Sequence, residues 1–375
     1  METVLKKNRF RKVLRYGLFA LLAMIIVMAL VPNGPATFRK WVWSWLPEPV
    51  PRVVDLPANP AIMGKIHGEK MKYSILLLEQ LYIKNIIGQN DYSGSRKKAA
   101  ILFDLINPRW KVEVSALAAA SGADVQALML GNSFLDLGIT GTGCRQVLAA
   151  RADGSVLHAH NLDWDNLGGI GNYIVTIFRT AGTPKRLATT YMAFPGMIGA
   201  LDVINSQGVA MSFNQVGFSK GYSQMPVFLK MREIAETCHT FEAAEAELLN
   251  VPEGMPFCIG LSDAKSGKIA VFERNRRGEI SKREPLNGLI SADNTLQFGV
   301  NIERNSVDKI ARAVAMDTPE AVMKILRHPD VLLDCNIYSV IFDWRNNTIY
   351  LASGQVPAAL GKYRKYPLFL KTENN

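Results

Sequence analysis

The sequence from Gly143 to Asp163, GCRQVLAARADGSVLHAHNLD, is the stretch that decides the fold. Two apolar runs flank the dipeptide Asp153-Gly154, which is typical of a two-residue turn between antiparallel strands. With these two residues as the loop, the register places Cys144 directly opposite Asp163. The stretch therefore predicts a hairpin whose first strand begins at a thiol and whose second strand ends at a carboxylate.

The segments on either side of this hairpin differ in pattern. Residues 62–140 are rich in Leu, Ile and Ala at helical spacing, which predicts helices. After Gly143, short strand-like runs alternate with turn residues, interrupted by helical patterns at 226–249 and 306–326. A closing hairpin is predicted at 336–353. This order indicates an α+β fold in which packed sheets have helices outside them.

Length and composition exclude several classes of protein. The chain has 375 residues, of which 48% are apolar and 20% charged, which is unlike a disordered or disulfide-stapled chain. The formal charge is +10, but six basic residues and one acidic residue within 1–15 supply +5 of it. No cluster of Lys and Arg interleaved with aromatic residues follows, so no nucleic-acid partner is expected.

The N-terminal segment has the pattern of a membrane anchor. A basic cap, 1–15, precedes an uncharged apolar segment, 16–32, which predicts a transmembrane helix with the N-terminus inside. A cleaved signal peptide is the alternative interpretation. Residues 33–59, rich in Trp and Pro, are predicted to be a linker. The expected localisation is therefore membrane-anchored and single-pass, with the rest of the chain on the extracytoplasmic (periplasmic or lumenal) side.

Cysteine and histidine usage argues against a metal or a disulfide scaffold. Four cysteines are too few for a stapled fold, and the five histidines lack metal-ligand spacing apart from the pair His158 and His160. We therefore expect no metal and no cofactor. Whether Cys238, Cys258 or Cys335 forms a disulfide stays open.

Several motifs together resemble one enzyme family. They are the hairpin with its box His160-Asn161-Leu162-Asp163, the strand Asn205–Asn214 and the turn Ala292-Asp293-Asn294, in that order. Gly64–Gly68 and Asp124–Asn132 add similarity before Cys144. In this arrangement the chain resembles the N-terminal-nucleophile (Ntn) linear amide C–N hydrolases, which include acid ceramidase, N-acylethanolamine acid amidase, choloylglycine hydrolase and penicillin acyltransferase.

The resemblance implies a fold and a mechanism. The fold would be the four-layer αββα sandwich of Ntn hydrolases, preceded by a helical segment. The precursor would cut itself at Gly143–Cys144, giving an α-subunit segment, 60–143, and a catalytic β-subunit, 144–375, which stay together. Cys144 would be the nucleophile, and its new α-amine the base.

The resemblance also assigns the remaining catalytic roles. Asp163 would orient that amine, while Asn214 and Asn294 would bind the oxyanion.

Three positions depart from the family pattern. His160 stands where the family has Arg, either as a pH-dependent donor or as a space-filling residue. Arg145 follows the nucleophile where the family has Thr, and we expect it at the substrate mouth. Lys309 stands where the family has a downstream Arg, with Arg312 one turn later, so its contact with substrate is only weakly supported because Lys lacks the bidentate fork.

The function predicted from the sequence is therefore a self-processing cysteine amidase. It would hydrolyse small-molecule N-acyl amides, with a lipid-like acyl chain, through a thioester acyl-enzyme. The nearest alternative is an acyltransferase that passes the acyl group to an amine. The alternative from another class is a non-catalytic, membrane-anchored lipid-binding protein on the same scaffold.

Overall fold

Two β-sheets, each covered on its outside by helices, form the body of the protein. The computed structural model describes residues 16–18, 21–23, 51–87, 89–138, 143–164, 175–217, 225–251, 254–298, 306–314 and 316–369. The fold is mixed α/β with two packed sheets, as the sequence predicts.

Between residues 51 and 138, the described part of the chain is helical apart from one strand. Its elements are β1 (Arg52–Leu56), α1 (Pro60–Leu78), a π-helical turn (Glu79–Ile83), α2 (Lys84–Ile87), α3 (Gln89–Leu105), α4 (Pro108–Ser121) and α5 (Val125–Ser133). Asparagine or aspartate side chains cap α1, α4 and α5, and Pro occupies the first turn of α1 and α4. This confirms the helical texture predicted for residues 62–140, while β1 lies inside the predicted linker 33–59 because Val53 and Val54 favour a strand.

In the described part of the chain, the residues from 143 onward supply the other thirteen strands, four α-helices and a short 3₁₀ helix (Ala358–Leu360). The strands are β2 (Gly143–Ala150), β3 (Val156–Asp163), β4 (Thr176–Thr180), β5 (Thr189–Ala193), β6 (Asp202–Asn205), β7 (Val209–Gln215), β8 (Phe257–Asp263), β9 (Lys268–Arg274), β10 (Ile280–Arg283), β11 (Leu289–Ala292), β12 (Asn336–Asp343), β13 (Thr348–Ser353) and β14 (Arg364–Pro367). The helices are α6 (Val227–Thr237), α7 (Phe241–Leu249), α8 (Ser306–Arg312) and α9 (Pro319–Leu326).

The two sheets face each other. One has eight strands in the order β1-β4-β5-β6-β7-β8-β9-β10, and the other has six in the order β11-β2-β3-β12-β13-β14. Helices α6 and α7 pack on the eight-stranded sheet, and α8 and α9 on the six-stranded sheet. Strand β1 joins the eight-stranded sheet by parallel pairing with β4, so the helical segment contributes a strand to it.

The hairpin β2–β3 forms, but its register differs from the prediction by one residue. Arg151 N–H donates to Ser155 O (2.7 Å), which closes a loop of three residues ending at Gly154, whose φ is +80°. A turn followed by a left-handed residue is the usual three-residue hairpin loop. As a result Cys144 pairs with Leu162, and Asp163 pairs with Gly143.

The predicted membrane localisation is corrected by the structure. Within the apolar segment 16–32 the structure describes only 16–18 and 21–23, and the cap 1–15 and residues 33–50 lie outside the described residues. A spanning helix needs about 20 apolar residues, whereas the run Gly17–Val31 has only 15. Among the described residues none of the helices has the length and apolarity to cross a bilayer, so the prediction of a single-pass membrane anchor is wrong.

Candidate functional site

Cys144 lies near the start of β2, buried between the two sheets. Its backbone N–H donates to Asn294 Oδ1 over 2.7 Å. Strand β11 pairs antiparallel with β2, with Ala292 opposite Gln146, so the turn after β11 lies beside the beginning of β2. The sheet topology therefore brings Cys144 and Asn294 together although they are 150 residues apart.

Arg145 is tied to the same point. Its Nη1 donates to Cys144 O (2.7 Å) and to Asn294 Oδ1 (3.1 Å). Because Arg145 is half-buried, a cation is held next to the backbone of Cys144. The predicted substrate-mouth residue thus lies at the candidate nucleophile.

Asn214 reaches the site from the facing sheet. Its Oδ1 accepts from Gln146 Nε2 (3.1 Å), and its Nδ2 donates to Ala292 O and Asp293 O. Gln146 is close to β8, where a Cβ added to Gly260 would lie 2.1 Å from Gln146 Oε1. Gly260 therefore permits the contact between the two sheets that holds Asn214 near the turn at Asn294.

Asp163 lies beside the peptide bond that precedes Cys144. It pairs with Gly143, and a Cβ added to Gly143 would be 3.2 Å from Asp163 Cβ. Since side chains alternate along a strand, Asp163 and Cys144 leave the hairpin on opposite faces. A register shift in β12 between Asn336 and Tyr338 lies where β12 pairs with the end of β3, which agrees with a strand irregularity at Asp163.

His160 lies on the same face of the hairpin as Cys144 and contacts a residue that the sequence reasoning missed. Its Nδ1 is 2.8 Å from Asp202 Oδ1 and 3.0 Å from Oδ2. Burial alone would lower the pKa of His160, but the Asp202 carboxylate, together with a hydrogen bond and charge at Cys144, raises it to about 10. His160 is therefore an imidazolium at neutral pH.

Asp202 is held by two further donors, the hydroxyls of Ser212 and Tyr338. Burial would raise the pKa of Asp202, but the charge of His160 and these hydrogen bonds lower it below its ordinary value. No sequence signal pointed to Asp202, because the contact joins two strands of different sheets and no local spacing reports it.

His158 is also buried on this face, but its environment is neutral. Its Nδ1 and Nε2 contact Ser262 Oγ (2.8 Å) and Ser212 Oγ (2.9 Å). Burial lowers the pKa of His158 to about 3, against a smaller opposing effect from Asp202. The two histidines of the motif thus carry different charges at neutral pH.

Lys309 does not join this group. It is exposed on α8, which packs through Val307 and Ala311 onto the outer face of the six-stranded sheet. No contact in the described part of the chain connects Lys309 with Cys144, so this arrangement does not support the weakly predicted contact between Lys309 and substrate.

The site offers no cluster of metal ligands. Within the described ranges, no three His, Cys, Asp or Glu side chains are grouped so that they could hold an ion. The polar groups at Cys144 are amide, guanidinium, imidazolium and carboxylate. They can stabilise charge and hold protons at a thiol, which suits acyl transfer.

An apolar cavity lies between the helices before Cys144 and the turn that follows β5. It has about 20 Å³ of space and is lined by residues of α1, the π-helical turn and α5 together with Pro195 and Gly196. The neighbouring side chains Tyr191, Met192 and Ile198 are buried in the core. The run 191–198 therefore serves mainly as core in this state, with only its turn exposed to the cavity.

The family comparison agrees with this chemistry. Residues 150–329 match the family model described as acyl-coenzyme A:6-aminopenicillanic acid acyl-transferase. The match confirms the resemblance predicted from the motifs: over these residues the chain is similar to this acyltransferase family. The matched range includes His160, Asp163 and Asn214, and begins after Cys144.

Three solved structures match part of the chain. An N-acylethanolamine-hydrolyzing acid amidase ortholog from Caenorhabditis elegans is 16% identical, with a TM-score of 0.46 over 53% of this chain and 92% of its own. Penicillin V acylase from Agrobacterium tumefaciens is 13% identical, with a TM-score of 0.40 over 56% and 83%. A mutant of the conjugated bile acid hydrolase from Clostridium perfringens is 13% identical, with a TM-score of 0.40 over 62% of this chain and 99% of its own. No protein with a curated description matches the sequence.

Proposed function

We propose that the chain is a self-processing cysteine amidase that hydrolyses the linear C–N bond of N-acyl compounds. The observation that carries the proposal is the meeting of Asn294, Arg145 and His160 at Cys144, next to the peptide bond after Gly143. Two sheets flanked by helices support the finer description of the fold as a four-layer αββα sandwich. The family match supports the reaction class.

The first step would be cleavage of the chain at Gly143–Cys144. The Cys144 sulfur attacks the carbonyl carbon of Gly143, the C–N bond breaks, and the acyl group moves from nitrogen to sulfur. Water then hydrolyses the thioester and releases a carboxylate at Gly143. The nitrogen that now donates to Asn294 Oδ1 would become a free α-amine, whose ordinary pKa is about 7.7–8.0.

That amine would serve as the base for catalysis. It takes the thiol proton, the thiolate attacks the substrate carbonyl, and the amine returns the proton to the departing nitrogen. Water, activated by the same amine, then attacks the thioester and releases the acid. Asp163, beside residue 143, would stabilise the protonated amine.

The oxyanion would be bound by Asn214 and Asn294. In the continuous chain Asn214 Nδ2 donates to two backbone carbonyls and Asn294 Nδ2 donates to Gln215 O (2.6 Å). The turn 292–294 must therefore adjust for these amides to face an oxyanion. Cleavage would turn the Cys144 backbone N–H into a free amine and so change its hydrogen bond to Asn294. This change would allow the turn to move.

The substrate class is an amide between an acyl group and a small amine. A lipid-like acyl chain fits the apolar surroundings of Cys144, which pairs with Leu162 and belongs to the large buried apolar cluster. A polar acyl group would be poorly solvated there.

The test is intact mass and N-terminal sequencing of the expressed chain, followed by a screen of N-acyl amides. We expect fragments of 143 and 232 residues, the second beginning with Cys144. Cys144→Ala should stay uncut, whereas Cys335→Ala, at a half-buried cysteine, should be cut normally. An uncut wild-type chain with full amidase activity would refute the self-processing mechanism.

A second candidate function is acyl transfer to an amine, which the description of the matching family favours. Both functions share the acyl-enzyme at Cys144 and differ in whether water or an amine resolves it. Adding a primary amine to the assay separates them: a transferase forms a new amide faster than free acid, and a hydrolase does not.

A further inference from the structure

The environment of His160 is set by a strand of the other sheet. His160 pairs with Gln146 in the hairpin, so its side chain shares a face with that of Cys144. Asp202 begins β6 in the eight-stranded sheet and holds His160 Nδ1 from across the interface. The imidazole is therefore clamped at Nδ1, and Nε2 remains for the thiol.

Asp202 is itself fixed. Ser212 donates to its Oδ1 and Tyr338 donates to its Oδ2, and all three side chains are fully buried. A carboxylate that accepts hydrogen bonds from an imidazolium and two hydroxyls is stabilised in its ionised form. The ring of Tyr338 also stands edge-on to His160, with centroids 6.4 Å apart, which restricts rotation of the imidazole.

The other titratable groups that face His160 are neutral at pH 7. Tyr338, on β12, has a pKa raised well above its ordinary value by burial and by Asp202. His158, next on the same face of β3, has its pKa lowered to about 3 by burial. Within the described elements packed on His160, Asp202 therefore supplies the fixed negative charge, and Cys144, on β2, is the reacting group.

We propose that Asp202 is a positioning residue that keeps His160 protonated and its ring fixed beside the Cys144 sulfur. The inference deepens the proposed function and rests on it for the role of Cys144. A permanent imidazolium cannot be the base, because it holds its proton; it instead attracts the sulfur as it becomes a thiolate. The α-amine then remains the base, and His160 supplies the positive charge.

The protonation state can be measured without substrate. Full-length chain labelled with ¹³C at histidine Cε1 gives five signals, and His160→Gln identifies the one from His160. We expect the His160 signal to be that of an imidazolium at pH 8. Asp202→Asn should lower the midpoint of its titration by about 1–3 pH units, the usual shift when an opposite charge in contact is removed.

Control variants separate this effect from general disturbance. Asp263→Asn changes a buried carboxylate at the end of β8 that bonds Lys265 N and Ser266 Oγ, and it should leave the His160 titration unchanged. Asp202→Glu keeps a carboxylate and should keep His160 protonated at pH 8. A neutral His160 at pH 8 in the wild type, or an unchanged titration in folded Asp202→Asn, would overturn the inference.

Kinetics provide the second readout. If an N-acyl amide is cleaved, Asp202→Asn should lower kcat with KM nearly unchanged, since Asp202 does not touch substrate. The pH profile of kcat for the wild type should show no midpoint near 6.5, the ordinary pKa of histidine. The wild-type titration requires neither activity nor a stable variant, so an inactive chain would refute the proposed amidase and leave the charge state of His160 measured.

Discussion

Asn294 is the residue whose removal tests the site most directly. Asn294→Leu keeps the size of the side chain but removes the acceptor for Cys144 N–H and the amide proposed for the oxyanion. We expect amide hydrolysis to fall about 10²–10³-fold, the usual loss for one such donor. Asn250→Ala, at an exposed helix end, is the control and should retain full activity; a Leu variant with unchanged kcat would contradict the role.

The pKa values of His158 and His160 are shifted in opposite directions, so we expect the two residues to have opposite effects on how stability depends on pH. For His158 the folded pKa is about 3 against 6.5 in the unfolded chain, so the unfolded state takes up a proton first. Its contribution to stability is complete above pH 6.5 and is lost as the pH falls toward 3. For His160, with a folded pKa of about 10, stability is complete below 6.5 and is lost as the pH rises toward 10.

His158→Gln tests the first of these effects. Between pH 6 and 4 the free energy of unfolding, measured with urea, should depend on pH less steeply in the variant, by up to about 1.4 kcal/mol per unit. His239→Gln, at an exposed site, should follow the wild type. Equal slopes for wild type and His158→Gln would show that His158 is not neutral in the fold.

At the level of residues, the sequence pointed to site residues that lie in recognisable motifs. It did not point to a residue that is close to the site only in the folded structure. Cys144, Asn294 and Arg145, all named from the motifs, lie together in the structure because strand pairing places the turn at Asn294 beside β2. Asp202 was missed because its contact with His160 depends on how two sheets face each other. Nothing in local spacing encodes that arrangement.

At the level of elements, the β2–β3 hairpin shows how one residue of loop decides a register. The dipeptide Asp153-Gly154 predicts a turn and a turn forms there, but the loop has three residues and Gly154 takes the left-handed position. The shift by one moved Asp163 opposite Gly143. Hairpin loops of two and of three residues both accept Asp-Gly. The sequence alone therefore does not decide the register of the two strands, whereas the structure does.

The left-handed Gly154 gives a direct stability prediction. Gly154→Ala should destabilise the protein by about 1 kcal/mol, because a Cβ is unfavourable at φ +80° even in open space. Gly94→Ala, at an equally open position inside α3, should instead stabilise by about 0.5–1 kcal/mol. Thermal melting of the two variants in parallel checks the opposite signs.

An ion network joins α4 to α6. Arg232 bonds Glu113 Oε1 (2.7 Å) and Glu236 Oε1 (2.9 Å), and its guanidinium lies between the rings of Trp110 and Tyr191. All the side chains of this group are buried. The helices before and after Cys144 are therefore connected by charge as well as by apolar packing.

Removing one partner of this network should be costly. Glu113→Ala leaves Arg232 with less compensation in a buried position, and we expect a loss of about 3–5 kcal/mol in the free energy of unfolding. Glu69→Ala removes an exposed pair with Lys65 and should change stability by less than about 1 kcal/mol. Urea titrations compare them, and similar losses would argue against a structural role for the network.

For the whole molecule, the proposed cleavage should not separate the two parts. Besides the ion network, His67 Nε2 accepts from Gly196 N–H, and Asn132 Oδ1 accepts from Ile198 N–H. We expect the fragments to elute together in gel filtration at 1 M salt and to separate in urea, since most of the contact is apolar and little screened. Separation at high salt alone would mean that surface charge holds the parts together.

The parallel pairing of β1 with β4 has a consequence for expression of the later part alone. A chain starting at residue 144 would lack β1 and leave the hydrogen-bonding groups of β4 bare along one margin of the eight-stranded sheet. Such a margin recruits other strands, including its own copies. The truncated protein should therefore aggregate. A synthetic peptide spanning 51–59, added separately, should suppress the aggregation by pairing with β4 in the position that β1 otherwise occupies.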